Sequence, residues 1–228
     1  MSSIHARLAV SFGLVAFASI GNSGCTLLFP TEAGDDLAHF ADQAPQTGDT
    51  VPDFELSTID GGTVRLHNLL GREPIVLQVG SHSCPVYRYR SYEVHDLYEE
   101  FYDTVQFVIL YTQEAHPAGS PSPYREGEEW LTNFNRFTGN KIPQPGSLEE
   151  RIEQAAWSTE RLSLTGTVAV DNMDNRTWEV FGSAPSPAYV IDSDGTVILR
   201  QPWVNPSEIR DTLRELLAPS GADSATTR

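Results

Sequence analysis

From residue 51 onward, apolar and polar positions fall into short runs whose period switches between two and 3.6. Phe54, Leu56 and Thr58 alternate with polar neighbours, Asp60-Gly61-Gly62 supplies a turn, and residues 63–66 alternate again, which predicts a β-hairpin. Leu69-Leu70-Gly71 closes a short helical turn, and Pro74 leads into an apolar strand over 75–79. After Pro85, the residues Val94, Leu97, Tyr98 and Phe101 share one helical face, leaving Arg88, Arg90, Glu93, Glu99 and Glu100 for water. The unbroken apolar run 105–111 has the length of a central parallel strand. A second helix is predicted over 147–160, with Leu148, Ile152, Ala155 and Ala156 on one side and Ser147 and Glu150 at capping-box spacing. Then come a short strand at 168–170, a helical turn at 175–181, a strand at 188–192 and its hairpin partner at 196–200. An amphipathic helix over 207–217 ends the pattern, and no internal repeat occurs. The alternation predicts an α/β fold whose central mixed sheet is flanked by helices and carries an N-terminal β-hairpin.

Composition adds boundaries. The chain has 228 residues, 39% of them hydrophobic, enough for one core. Lys and Arg total 15 against 31 acidic residues, a net charge of −16, and no basic block occurs. That balance excludes an electrostatic nucleic-acid site and describes a solvated acidic surface. Residues 8–20 form an apolar stretch too short for a comfortable membrane span and suited to a signal sequence. Cys25 after Ser23-Gly24 resembles a bacterial lipobox, which would make it the lipidation site and membrane attachment point. An ordinary secretory signal and an uncleaved anchor are the alternatives. Residues 1–24 are therefore read as signal, 25–50 as a flexible tether, 51–218 as one domain and 219–228 as a disordered tail. The corresponding location is exported, in the periplasm or on the membrane of a bacterium.

Cys84 is the only thiol once Cys25 is set aside. It follows the strand 75–79 and precedes Pro85, which is suited to opening a helix. A sulfur at a strand-to-helix turn meets unpaired N–H groups and the positive end of a helix, which favour thiolate. The bland alternative is an inert core cysteine. Glu114-Ala115-His116-Pro117 follows the strand 105–111, and adjacent strands would bring both loops to the sheet edge where catalytic groups collect. His116 is the candidate acid or base. His82, Ser81, Glu114 and Arg88 are candidate supporting residues, with solvated or structural roles as alternatives. With no Cys-x-x-Cys and no second cysteine nearby, neither disulfide reduction nor a metal site is expected.

Several segments carry a family resemblance. Val51-Pro52-Asp53-Phe54, the run Asp60-Gly61-Gly62-Thr63-Val64-Arg65-Leu66, and Cys84-Pro85 after Ile75-Val76-Leu77 look like thioredoxin-like proteins of the redoxin and peroxiredoxin type. Gly80-Ser81-His82-Ser83-Cys84-Pro85, residues 109–117, Leu148-Glu149-Glu150-Arg151 and Asp171-Asn172-Met173-Asp174-Asn175 together resemble the iodothyronine deiodinase family over 51–217. The resemblance implies a thioredoxin-like fold, with Cys84 where animal deiodinases carry nucleophilic selenocysteine and His116 on the family's active-site histidine. It further implies a cis-proline at Pro185 or Pro187. The family's tryptophan after Glu-Ala-His-Pro is missing from 118–123, its second histidine is replaced around Gln144-Pro145-Gly146, and 125–141 reads as an insertion.

The resulting reading is a thiol-dependent oxidoreductase resembling deiodinases. Its reaction would be reductive dehalogenation of an iodinated aromatic, with no cofactor beyond an external thiol reductant. Its partners would be that small-molecule substrate and the thiol, with no nucleic acid; a homodimer is left open. A one-cysteine peroxiredoxin-like peroxidase, in which Cys84 forms a sulfenic acid, is the enzymatic alternative. A non-catalytic cell-envelope interaction module is the other.

Overall fold

The structure is a computed structural model that describes residues 40–219. The expected signal segment 1–24, residues 25–39 of the expected tether with the lipidation site Cys25, and residues 220–228 of the expected tail lie outside the described residues. The alternating segments pair first: β1 (Glu55–Thr58) and β2 (Thr63–Arg65) form the antiparallel hairpin, with Leu56 opposite Val64. A 3-10 turn (Leu66–Leu69) leads to β3 (Ile75–Gly80), α1 (Pro85–Phe101) and β4 (Gln106–Tyr111). Next come α2 (Asn133–Thr138), α3 (Leu148–Leu162), β5 (Thr167–Val170) and α4 (Arg176–Val180). The closing hairpin is β6 (Ala188–Ile191) and β7 (Val197–Gln201), followed by α5 (Pro206–Leu216).

These strands make one sheet in the order β2-β1-β5-β4-β3-β6-β7. The three central strands β5, β4 and β3 are parallel; β1 and β6 flank them antiparallel, and the edge strands β2 and β7 pair antiparallel with those two. Both faces are covered, so the central strands are apolar on both sides, as a parallel sheet requires. On one face Val76, Phe107 and Val190 pack with Val94 and Leu97 of α1 and Ile209 and Leu213 of α5. On the other, Leu77, Val79 and Leu110 meet Ala155 of α3 and Trp178 of α4.

Local chemistry sets the helix limits. The Ser147 hydroxyl accepts from Glu150 N–H at 3.2 Å, the predicted cap, while the Glu150 carboxylate reaches back to Gly146 N–H at 2.6 Å. Pro85 stands in the first turn of α1, where a missing N–H costs nothing. The insertion 125–141 contains a helix the periodicity did not reveal, because α2 has only six residues. It starts at Thr132, whose side chain accepts from Asn135 N–H, and stops at Gly139 with φ +72°.

Two expectations need correction. Residues 40–50 are not tether but part of the packed domain. Phe40 and Ala44 are buried, Arg200 lies 4.4 Å above the Phe40 ring, and the backbone of 48–51 bonds to Val197 and Gly195. The segment was misread because its few apolar residues have no period; long-range contacts, not local pattern, order it. Second, the described peptide bonds are all trans, so neither Pro185 nor Pro187 is a cis-proline. The trans chain lets Pro187 O accept from Val79 N–H at 2.9 Å and Ser186 O from Val204 N–H at 2.9 Å, extending the ladder ahead of β6.

Gly80 closes β3 beneath the fully buried Tyr87 ring; a Cβ there would stand 3.0 Å from Tyr87 Cε2 and closer still to Cδ2. Gly80→Ala should therefore destabilise the domain by about 1–3 kcal/mol in denaturant unfolding, since the enclosed ring has nowhere to move. An unchanged midpoint would refute that packing.

Candidate active site

The parallel pairing of β3 with β4 sets Gly80 opposite Tyr111, and Thr112 N–H continues the ladder to Gly80 O at 3.0 Å. The two loops that follow, 81–84 and 112–117, thereby emerge side by side at the carboxyl ends of central strands, as expected. Cys84 is the N-cap of α1 and is completely buried.

A buried carboxylate ties the loops together. Glu114 accepts from Ser83 N–H at 2.6 Å and from the hydroxyls of Ser83 and Tyr111. Ser81 Oγ accepts from Ala115 N–H at 2.9 Å, and Ser83 Oγ accepts from His116 N–H at 3.3 Å. Gln144, in the region where the family pattern has a histidine, brackets Glu114 from behind. Its Oε1 accepts from Glu114 N–H at 2.9 Å, and its Nε2 donates to Glu114 O at 2.8 Å.

The segment 125–141 supplies a second clasp. Asn135 of α2 is fully buried and donates from Nδ2 to Ser83 O at 2.7 Å and to His116 O at 3.3 Å. Arg88, one turn into α1, donates to Asn135 Oδ1 at 2.8 Å and to His82 O at 2.6 Å. Arg88 is thus a half-buried structural cation rather than a solvated one.

The two histidines diverge. His116 is buried, with Nδ1 3.2 Å from Trp130 O and its ring edge-to-face with Trp130 at 5.6 Å. That carbonyl partner assigns the proton to Nδ1 and leaves Nε2 as an acceptor. His82 turns away from the clasp, toward Ser158 Oγ at 3.0 Å and Trp157 at 4.3 Å. Burial pulls both imidazoles down to about 4, aided at His82 by Arg88 and Arg161. At His116 the Trp130 carbonyl works against that fall.

Burial works against the expected low-pKa thiol. Burial pushes the Cys84 thiol up to about 11, although the N–H groups of Tyr87 and Val86 and the Arg88 charge pull the other way. Desolvation wins because the sulfur has no solvent contact at all. Burial likewise raises the Glu114 carboxyl, against its hydroxyl and N–H donors. Among the described residues, no three His, Cys, Asp or Glu side chains cluster to hold a metal ion.

The structure brings the candidates Cys84, Ser81, Glu114, Arg88 and His116 together, and adds Ser83, Tyr111, Asn135, Trp130 and Gln144, which were not among them. Tyr111 carried a usable signal, a polar-tipped aromatic at a strand end three residues before a glutamate. Asn135 carried none. The Asp171 and Arg151 motifs meet in a support: Arg151 donates to Asp171 O and Asn172 O, and the Asp171 carboxylate accepts from Thr177 and Trp178 N–H.

A family model described as iodothyronine deiodinase matches residues 35–216. The chain is similar to thyroxine 5-deiodinase of Sus scrofa, 29% identical over 162 residues that cover 71% of this chain and 47% of that protein. It is 26% identical over 155 residues to thyroxine 5-deiodinase of Gallus gallus, covering 67% and 55%. The chain spans about half the length of the curated relatives it matches. The fold is shared with the thioredoxin domain of a thiol-disulfide oxidoreductase from Bacteroides vulgatus, at TM-score 0.52 and 12% identity, covering 76% and 99%. A thiol:disulfide interchange protein from Bacteroides sp. aligns at TM-score 0.53 and 12% identity, covering 79% and 95%. The fold is therefore thioredoxin-like.

Asn135→Leu should cost about 1–3 kcal/mol, by stranding the Ser83 and His116 carbonyls and one arm of Arg88. It should also accelerate iodoacetamide labelling of Cys84; unchanged labelling would show that the clasp does not shield the thiol. The histidines make a second expectation. Their folded pKa values lie below the unfolded value, so the stability they contribute is present above about 6.5 and lost as pH falls toward 4. The loss is up to roughly 3 kcal/mol each, with the raised Glu114 and Asp171 carboxyls acting oppositely. Urea unfolding across that window should show a smaller fall in His116→Gln than in the native chain.

Proposed function

The chain belongs to the iodothyronine deiodinase family, and on that premise we propose that it is a thiol-dependent oxidoreductase with Cys84 as nucleophile, reducing an iodinated aromatic at the expense of an external thiol. The observation that supports this most is the seat of Cys84. The one thiol of the described residues caps α1, on a loop held by Glu114 and flanked by the His116 backbone.

The chemistry balances with two equivalents of reductant. Nε2 of His116 takes the thiol proton, and the Cys84 thiolate attacks iodine. The sulfur–iodine bond forms, the carbon–iodine bond breaks, and its electron pair stays on the ring carbon, which takes the proton. An external thiol attacks Sγ, releasing iodide and a proton and leaving a mixed disulfide. A second thiol displaces Cys84 from that disulfide. The arene has gained hydrogen for iodine, and two thiols have become a disulfide.

Burial keeps the thiol protonated and makes the neutral imidazole a weak base, with the thiol high and the imidazole low. Any opening that admits solvent or substrate moves each pKa toward the other, which is the direction proton transfer needs. The reductant would be one found in the cell envelope, given the export signal and the lipidation read from residues 1–25.

Purified protein supplied with thyroxine or 3-iodotyrosine and dithiothreitol should release iodide, and Cys84→Ser should fall to background. Sulfenic acid formed with hydrogen peroxide, without iodide release from either compound, would favour the peroxidase reading instead. If the closed state governs reactivity, alkylation of Cys84 by iodoacetamide should rise about tenfold per pH unit until about pH 11. A plateau by pH 9 would contradict the burial of the thiol.

A further inference from the structure

Outside the clasp around Cys84, a cavity of about 410 Å³ opens between α1, the α2 segment and α3, lined by His82, Arg88, Phe134, Asn140, Trp157 and Arg161. Its composition departs from that of the whole chain. In a protein of net charge −16 it gathers two guanidinium groups and no carboxylate. Arg65, Arg90, Arg125, Arg136, Arg210 and Arg214 each pair with a carboxylate. Among the described residues, Arg88 and Arg161 form no such ion pair, and neither do Arg72, Arg151, Arg176 and Arg200; what sets the cavity apart is that it brings two of these cations together with no carboxylate in its lining. Arg88 is held by neutral acceptors, His82 O and Asn135 Oδ1. The acidic groups that act on it, Cys84 and Glu114, are themselves pushed toward their protonated forms by burial. Arg161 rests over the Trp157 ring at 5.7 Å, one turn along the same face of α3. Trp157 is 44% exposed although its other neighbour, His82, is buried.

Two uncompensated cations beside a half-exposed indole and a phenyl ring are complementary to one kind of ligand. We propose that this cavity binds a small organic carboxylate, its anionic end between Arg88 and Arg161 and its flat apolar body along Trp157 and Phe134. His82, held neutral between the two cations, adds no competing charge of its own. The cavity adjoins the reactive loop, since His82 is two residues before Cys84 and Arg88 one turn after it. A carboxylate seated there could come from an aromatic substrate or from a carboxylate-bearing thiol reductant. The inference concerns binding alone and stands whether or not Cys84 turns over.

Calorimetric titration of the full chain tests it in two arms. The first compares 4-hydroxyphenylacetate with its neutral amide; the second compares 3-mercaptopropionate with neutral 2-mercaptoethanol. The carboxylate should bind at least about tenfold more tightly than its neutral counterpart in one arm, and that arm identifies the source. In Arg161→Gln, whose side chain is exposed and outside the clasp, the preference should fall to within about twofold while circular dichroism and Tm stay unchanged. Equal binding of acid and neutral analogue in both arms, or a preference that survives Arg161→Gln, overturns the proposal. Because no turnover is measured, failure of the thiol chemistry and failure of this site would be told apart.

Discussion

A carboxylate with no solvent contact, Glu114, organises the end of the sheet where the chemistry is expected. Taking a carboxyl group out of water costs several kcal/mol unless its oxygens are satisfied. Here Ser83 N–H, Ser83 Oγ and Tyr111 Oη satisfy them. Ser83 stands on one loop and Glu114 on the other, so the loops cannot separate without stranding the carboxyl. The arrangement depends in turn on the β3–β4 register. A shift by one residue would turn Tyr111 to the opposite face and remove its hydroxyl from the network.

The same enclosure decides the electrostatics of the thiol. A helix N-terminus and a nearby guanidinium stabilise a thiolate, and both are present at Cys84. Full burial outweighs them, and moving the thiol from 9 to about 11 amounts to about 3 kcal/mol against ionisation. Reactivity at Cys84 is thus coupled to exposure. Asn135 and Arg88 bond to the backbone beside Cys84, and Trp130 packs against His116.

Segments far apart in sequence combine to make the rigid support. Arg151 of α3 reaches the backbone that leads from β5 into α4, and the Asp171 carboxylate holds the first N–H groups of α4. The resemblance blocks Leu-Glu-Glu-Arg and Asp-Asn-Met-Asp-Asn therefore meet in one structural unit. The segment 125–141 also reaches the site. It places Trp130 against His116 and Asn135 between the loops.

Periodicity alone located the hairpins, the three central strands, both long helices and the closing helix, because each buries a face whose pattern is local. It also placed Cys84 and His116 on neighbouring loops, since parallel strands put successive loops at one edge. What it could not supply was any quantity set by distant atoms. Phe40 packs against Tyr189 across the chain, so its polar surroundings read as tether. Asn135 sits in a short helix with no repeating pattern, and its partners lie 52 and 19 residues away. The sequence determined that a thiol would stand at a helix start; the tertiary structure determined that it would be sealed. The thiol pKa is a balance between local dipoles and desolvation, and only the packed structure contains the second.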